Sequence, residues 1–518
     1  MTATLLAEWT KFRTVRGWVI GMIVALVLFV FFGVFAAGNV NIGCGNGPGQ
    51  TGRACLPSVP IGPGGEAVTD NFYFVRKPFS GSGTFTARVT SLTGAHSSSG
   101  ATHAEVGSPG PPMTPGLVPW AKAGIIIKAS RKQGSAYAAM LVTGSHGVRM
   151  QYNFTGDLAG LPGLVSTAAP RWLRLVRSGD TITGYDSADG AHWTRVGVVT
   201  LAGLRSTVQV GLFAAAPPYL RISPFYGGAS IQAGPSTATA VFDDVSLHGA
   251  ASGAPWIPDA IGGRSGPRGI AGGGFRQSGA RLTVTGSGDI APAVPGPGNG
   301  FPTATIEQSL AGAFAALIAI IAVAAMFFTA EYRRGLIRTT LAASPRRGQV
   351  LAAKAVVAGS VGFVAGLAGA VVSVALGVPR ESGEGLYVLP VSPLTEVRVI
   401  VGTAVLLALA AVFAVALGAV LRRSAAAITT GIVVIVLPFL LSAIGIFPAG
   451  VSAWLLRVTP AAGFALEQSI PRYPQLSRVY AAAGGFYPLP PLAGFAVLCA
   501  WVAAAVLLAL YLLKRRDA

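Results

Sequence analysis

The chain has 518 residues, 52% hydrophobic and only 11% charged, with a formal net charge of +19. Several apolar runs exceed the roughly 18–20 residues that cross a bilayer core, which excludes a soluble enzyme. The basic residues fall in short loops beside apolar runs. Membrane topology explains that placement better than nucleic-acid binding, so no nucleic-acid partner is expected.

The first apolar run, Trp18 to Ala37, follows Lys11, Arg13 and Arg16. It is long for the apolar core of a signal peptide, and no strong small-residue cleavage site precedes Gly38. Segment 1–37 therefore reads as an interfacial piece and a retained transmembrane helix. Residues 38–64 read as a loop rich in Gly, Pro and Asn, containing 44-CGNGPGQTGRAC-55. On the oxidising side of a membrane Cys44 and Cys55 are expected to form a disulfide. The alternatives are two free thiols or a zinc site, and no nearby His completes a zinc set.

Residues 65–250 change pattern to short alternating strands. In 83-GTFTARVT-90, Phe85, Ala87 and Val89 share one face; in 207-TVQVGLFA-214, Val208, Val210 and Leu212 do. Turn signals such as Ser178-Gly179-Asp180 separate the strands, and the whole predicts an antiparallel β-sandwich. The stretches "AGIIIKAS", "RWLRLVRSGDTITGYDSADGAHW" and "VFDDVSL" resemble a concanavalin-like (laminin-G or jelly-roll) sandwich. That resemblance implies a domain of a kind that often binds sugars or cell-surface polymers, sometimes with calcium. Trp120, Trp172 and Trp193 would stack on such a ligand or fill the core. Asp186, Asp189, Asp243 and Asp244 read as solvated turn acids before calcium ligands, since no loop spacing supports a site. Residues 251–308 read as Gly/Pro-rich linkers around one accessory strand, 280-ARLTVTGSG-288.

Residues 309–518 carry five more predicted spans, about Ser309–Ala330, Ala355–Gly377, Val399–Leu421, Ala425–Phe447 and Pro491–Leu513. The fold class expected is a six-helix all-α transmembrane domain with a large all-β sandwich inserted between helices 1 and 2. Basic residues set the orientation. One set of loops holds Lys11, Arg13, Arg16, Arg333, Arg334, Arg338, Arg346, Arg347, Lys354, Arg422, Arg423, Lys514, Arg515 and Arg516. The short loops on the other side hold only Arg380, Arg398, Arg457, Arg472 and Arg478. Both termini are expected in the cytoplasm of a cell with this plasma-membrane protein, and the sandwich outside. Gly359, Gly362, Gly366 and Gly369 line one face of the third span and predict tight packing against a span of the same chain, or a dimer face. Few charges lie within the spans, and no row of acids predicts a proton relay or ion path. No GxxxxGK[ST], HExxH or GxSxG occurs, so neither an enzyme nor a cofactor is expected in this chain.

The stretch 329-TAEYRRGLIRTTLAASPRRG-348 lies between the second and third spans. Arg333, Arg334 and Arg338 recur on one helical face, and Ser344-Pro345 ends that helix. A basic membrane anchor explains the arginines but leaves Glu331 without a purpose. This stretch, with "LAEWTKFRTVRGW" and "WLLRVTPAAGFALEQSIPRYPQ", resembles the permease subunits of ABC-2 type transporters from actinobacteria. The resemblance implies an exporter that dimerises, or pairs with a second permease, and uses a separate ATP-binding-cassette subunit. It further implies a coupling loop at 331–347 seated on that ATPase, with Glu331, Arg333, Arg334 and Arg338 as coupling residues. Glu8-Trp9-Thr10-Lys11 would be an interfacial helix meeting the same partner, and Trp454–Tyr487 would hold short half-buried helices. An inserted sandwich departs from the family pattern, whose first outer loop is short. The competing reading is a membrane-anchored recognition protein whose sandwich binds carbohydrate.

Overall fold

The computed structural model describes residues 2–38, 59–97, 112–225, 228–251, 255–262, 273–296, 302–333, 335, 346–444, 446–476 and 482–515. Cys44, Cys55, Arg334 and Arg338 lie outside the described residues, as does the side chain of Arg333.

The helices are α1 (Thr2–Thr14), α2 (Arg16–Gly38), α3 (Ile306–Ser309), α4 (Ala313–Arg333), α5 (Arg347–Gly383), α6 (Pro393–Leu421), α7 (Ser424–Ala443), α8 (Ala449–Val458) and α9 (Pro491–Arg515). Six of them, α2, α4, α5, α6, α7 and α9, are long and apolar enough to cross a membrane, as a multi-pass membrane protein requires. They coincide with the six runs read from the sequence. Local chemistry fixes their ends. Ser392 caps α6, its hydroxyl accepting from the Thr395 amide, with Pro393 in the first turn. Arg422 ends the same helix in the left-handed region, at φ 54°. The glycine face of α5 is used inside the chain. A Cβ at Gly362 or Gly366 would meet Ala411, Leu407 and Ala404 of α6, and one at Gly369 would strike Phe29 of α2. Small residues here let helix backbones approach closely.

The strands are β1 (Val68–His96), β2 (Thr114–Pro115), β3 (Lys122–Lys128), β4 (Tyr137–Thr143), β5 (Val148–Tyr152), β6 (Gly156–Ala159), β7 (Arg171–Ser178), β8 (Thr181–Ser187), β9 (Thr194–Thr200) and β10 (Thr207–Ala215). They continue as β11 (Tyr219–Phe225), β12 (Gly228–Gly234), β13 (Ser236–Ala251), β14 (Ile257–Ile261), β15 (Gly274–Ser278), β16 (Arg281–Gly286) and β17 (Asp289–Pro292). Fifteen of them join one large sheet. Its spine is β1, a 29-residue strand where the sequence reads two, 72-FYFVRKP-78 and 83-GTFTARVT-90. Register shifts between Ser80 and Gly83, Thr86 and Arg88, and Val89 and Ser91 bend it. Such bulges increase local twist and re-aim a strand. The first half of β1 pairs with β10 and the second with β7, while β13 runs along it from Phe79 to His96. The sheet therefore curls back over a core of Phe79, Phe85, Ile125, Met140, Leu175, Leu212 and Phe242.

The strand system does not stop at 250. β14 pairs with β1 at Phe72–Arg76, β16 with β13, and β17 with β1 at Val68–Asn71. Leu282 and Val284 of the accessory strand enter the core, so much of the segment read as linker is part of the sheet. Ile261, Leu282, Val284 and Ile290 are all buried. Losing them removes about 1.5–3 kcal/mol each of apolar burial. A fragment spanning 59–294 is thus expected to fold alone as a β domain, and one spanning 65–250 to melt far lower. Thermal melts by circular dichroism check this, and equal melting temperatures would refute it.

The C-terminal ends of α2, α5 and α7 and the N-terminal ends of α4, α6 and α9 form the end of the helical bundle next to the sheet domain, the sheet end. The remaining ends form the opposite end. At the sheet end β18 (Thr303–Ala304) pairs in parallel with β19 (Tyr387–Val388). Ala67, Ala291, Ala293 and Val294 of the sheet domain pack on Leu389, Ile470, Leu476 and Phe486 of the helical domain.

Candidate functional site

Two lysines and two glutamates meet at the opposite end of the bundle. The α1 helix turns into α2 at Val15 and buries Glu8 and Phe12, leaving Leu6 and Trp9 exposed. The Lys354 ammonium, on the first turns of α5, donates to Glu8 Oε2 at 2.7 Å and to Glu331 Oε1 at 2.8 Å. Lys11 closes the ring by donating to Glu8 Oε1 at 2.8 Å and Glu331 Oε1 at 3.0 Å. Lys354 is 1% exposed, Glu8 2% and Glu331 8%. Burial pushes the Lys11 ammonium down, but its bonds to Glu8 and Glu331 outweigh that and raise it above its ordinary value.

Aromatic rings wall the cluster. Lys354 Nζ lies 4.4 Å from the Phe327 ring centre, and Phe12 and Trp18 meet the same ring edge-on. A buried charge is tolerable only when paired and hydrogen-bonded, and here two cations and two anions alternate. The second oxygen of Glu331 is buried with no hydrogen-bond partner among the described residues. Next to Glu331, the Tyr332 ring lies 5.3 Å from the Arg422 guanidinium, which follows α6. Arg347 donates to the Leu513 carbonyl at 2.7 Å and ties the start of α5 to the end of α9.

Of the four residues expected to couple, only the side chain of Glu331 is described. It joins Lys11 of the expected interfacial helix, and this gives it the purpose a basic anchor lacks. Sequence reasoning counted Lys354 only as a loop charge and did not pair it with Glu8. The available signal was a lysine inside an otherwise apolar helix, which demands a buried partner.

A second polar group lies at the sheet end. The α8 helix and the 3₁₀ helix Pro460–Glu467 form a pair bent by 97° at Thr459-Pro460, within the stretch expected to hold short half-buried helices. Arg398 donates to the Leu466 and Gln468 carbonyls. Thr403 donates to Glu467, and Ser469 donates to Glu307 through both its amide and its hydroxyl. Burial pushes the Glu307 carboxyl up, against the pull of these Ser469 bonds. Glu381 is wholly buried and accepts from Ser309. These glutamates come from separate elements, so no run of acids marks them in the sequence. Cys499 of α9 is a free thiol, half-buried rather than buried.

In the sheet domain the three tryptophans differ. Trp120 is 5% exposed and stacks on His146 with ring centres 3.9 Å apart. Trp172 and Trp193 are half-buried, with Arg88 over the first and Arg174 over the second, at 5.3 and 3.6 Å. The four aspartates stand apart: Asp243 and Asp244 hold Arg88, Asp186 accepts from the Leu161 amide, and Asp189 binds His192. Among the described residues no group of three or more His, Cys, Asp or Glu is placed to hold a metal ion.

No family model and no curated protein matches the chain. Among solved structures, the chain is similar to scytalido-glutamic peptidase bound to a transition-state analogue inhibitor, at 8% identity and a TM-score of 0.25. That alignment covers 42% of this chain and 98% of the peptidase. A functionally unknown protein from Saccharomyces cerevisiae aligns at 13% identity and a TM-score of 0.21, over 35% of this chain and 76% of its own. Likenesses this distant lend no activity to the chain.

Proposed function

We propose that this chain is the membrane-spanning permease subunit of an ABC-2 type exporter, paired with a second permease copy and driven by a separate ATPase subunit. The observation that carries the proposal is the ring Glu8–Lys354–Glu331–Lys11. It links the first helix, the end of the second span and the start of the third around loop 334–345. A push on that loop would reach three elements through charge-assisted bonds rather than through a tether. The excess of basic residues in the loops at this end supports a cytoplasmic placement for it, with the sheet domain, read as a concanavalin-like sandwich, outside. Co-purification tests the proposal. An ATP-binding-cassette subunit from the same cells should be recovered with the tagged chain, and recovery of the chain alone from membranes containing such a subunit counts against it.

The second reading, a membrane-anchored protein that recognises carbohydrate, is favoured by Trp172 and Trp193, half-buried beside Arg88 and Arg174. Changing either tryptophan to alanine should then abolish cell-wall binding while the domain stays folded, and retained binding removes that role.

Placement of the sheet domain outside also predicts a Cys44–Cys55 bridge. Such a loop closure contributes roughly 2–3 kcal/mol, confined to its own segment. Alkylation of unreduced protein from intact cells should leave both cysteines unlabelled in the mass spectrum, and full labelling refutes the bridge.

A further inference from the structure

We infer that the sheet domain is a lid on the bent segment Pro460–Leu476 of the helical domain, closed in this structure and opening as the exporter works. The inference rests on the exporter reading for what would pass, but not for the contact itself.

A polar link crosses the seam between the two. Gln475, 2% exposed, donates from its amide to the Thr155 carbonyl at 3.1 Å and lies 3.5 Å from that of Phe154. Both carbonyls sit at the tip of the β5–β6 hairpin, where Asn153 and Phe154 take φ of 43° and 64°. Asparagine tolerates the left-handed region, but a bulky aromatic is an outlier there, where hairpins of this kind favour glycine. A strained residue persists when its surroundings over-determine it. Here the Phe154 ring is 1% exposed, edge-on to Tyr137 at 5.0 Å, and lies 5.6 Å from the Lys128 ammonium. Lys128 is in turn held by the buried carboxylate of Asp70 at 2.7 Å. The sheet domain thus spends a well-braced core position on presenting two carbonyls to the helical domain.

The rest of the seam is built to part. Its sheet side is mostly alanine, and a half-open pocket of about 160 Å³ is lined from both sides of it. Glu66, Ala293, Leu389, Thr395, Ser469 and Tyr473 are among its lining residues. Interiors meant to stay closed pack to crystal-like density, whereas domain interfaces with gaps and polar groups separate readily. Beneath the seam, Arg398, Thr403 and Glu307 hold the bent segment by its own backbone and by Glu467 and Ser469. Displacing the lid would free one side of that segment and leave the other anchored.

Two measurements on the full chain test this, with Cys44, Cys55 and Cys499 replaced by serine. The first uses Ala291→Cys, buried in the seam on the sheet side and away from the pocket, and Leu164→Cys, at an exposed site. If the lid opens, a membrane-impermeant maleimide labels position 291 within about a hundredfold of the rate at position 164. Protection of more than about ten-thousandfold, as in a permanently closed core, overturns the inference whatever the ATPase does. The second joins Thr155→Cys to Gln475→Cys with a short, reducible thiol cross-linker in the complex with the ATPase. ATP turnover should fall at least about fivefold and recover on reduction. Unchanged turnover at complete cross-linking overturns the lid while leaving the exporter intact. Failure to recover any ATPase instead overturns the exporter reading, and labelling alone then decides the lid.

Discussion

Lys354→Met is expected to cost about 3–5 kcal/mol, because it leaves the Glu8 and Glu331 carboxylates buried together with only Lys11 between them. The methionine fills the space against Phe327, so the loss is one of charge and not of packing. The α1 helix should detach, and trypsin should then cut at Arg13 and Arg16. The melting temperature of the detergent-solubilised chain should fall by many degrees. Glu8→Gln combined with Lys354→Met removes one charge of each sign and leaves the Glu331–Lys11 pair. It should therefore recover much of what the single change loses, a coupling characteristic of neighbours. If the double variant is as unstable as the sum of the two singles, the four groups do not act as a ring.

On the proposed exporter reading, reversing Arg334→Glu and Arg338→Glu is expected to weaken ATPase recovery by orders of magnitude. Each arginine in a partly desolvated, charge-assisted contact is worth roughly 1.5–3 kcal/mol. Two together correspond to about 10²–10⁴ in affinity before any repulsion is added. The fold should survive, since the ring that organises this end uses neither residue. The proposed topology should survive too, because Arg333, Arg346, Arg347 and Lys354 keep the positive charge that would hold this segment inside. A basic anchor without a coupling role predicts undiminished recovery. Co-purification of tagged ATPase with each form, beside protease protection of the loop, separates the two outcomes.

The six spans were legible because apolar length is a property of the chain itself, independent of partners. The strand faces of Phe85–Val89 and Val208–Leu212 were legible for the same reason, since period-two alternation survives any topology. What was not legible depended on pairing at a distance. β1 read as two strands because Gly81 and Ser82 look like a turn, and only its neighbours β13 and β7 show one bent strand crossing between layers. Residues 257–261 read as part of a linker because glycine and proline mark loops, yet short edge strands need only a few residues to complete a sheet. Glu8 and Lys354 stand 346 residues apart, and nothing local ties a carboxylate in the first helix to an ammonium in the third span. The glutamates at the sheet end were missed in the same way, each being a single charge in its own element.

Val68 pairs with Pro292, so the sheet domain enters and leaves the helical bundle through adjacent strands. The two junctions of the sheet domain with the rest of the chain therefore lie one strand pair apart, whatever the contour between them. The entropy of closing that gap is largely met by the domain's own folding. The domain can therefore be removed at one place in the chain, which uncovers Leu389, Ile470, Leu476 and Phe486. Excision of residues 68–292 with a short glycine-serine bridge is expected to leave a bundle that still inserts and melts cooperatively, at a lower temperature than the full chain.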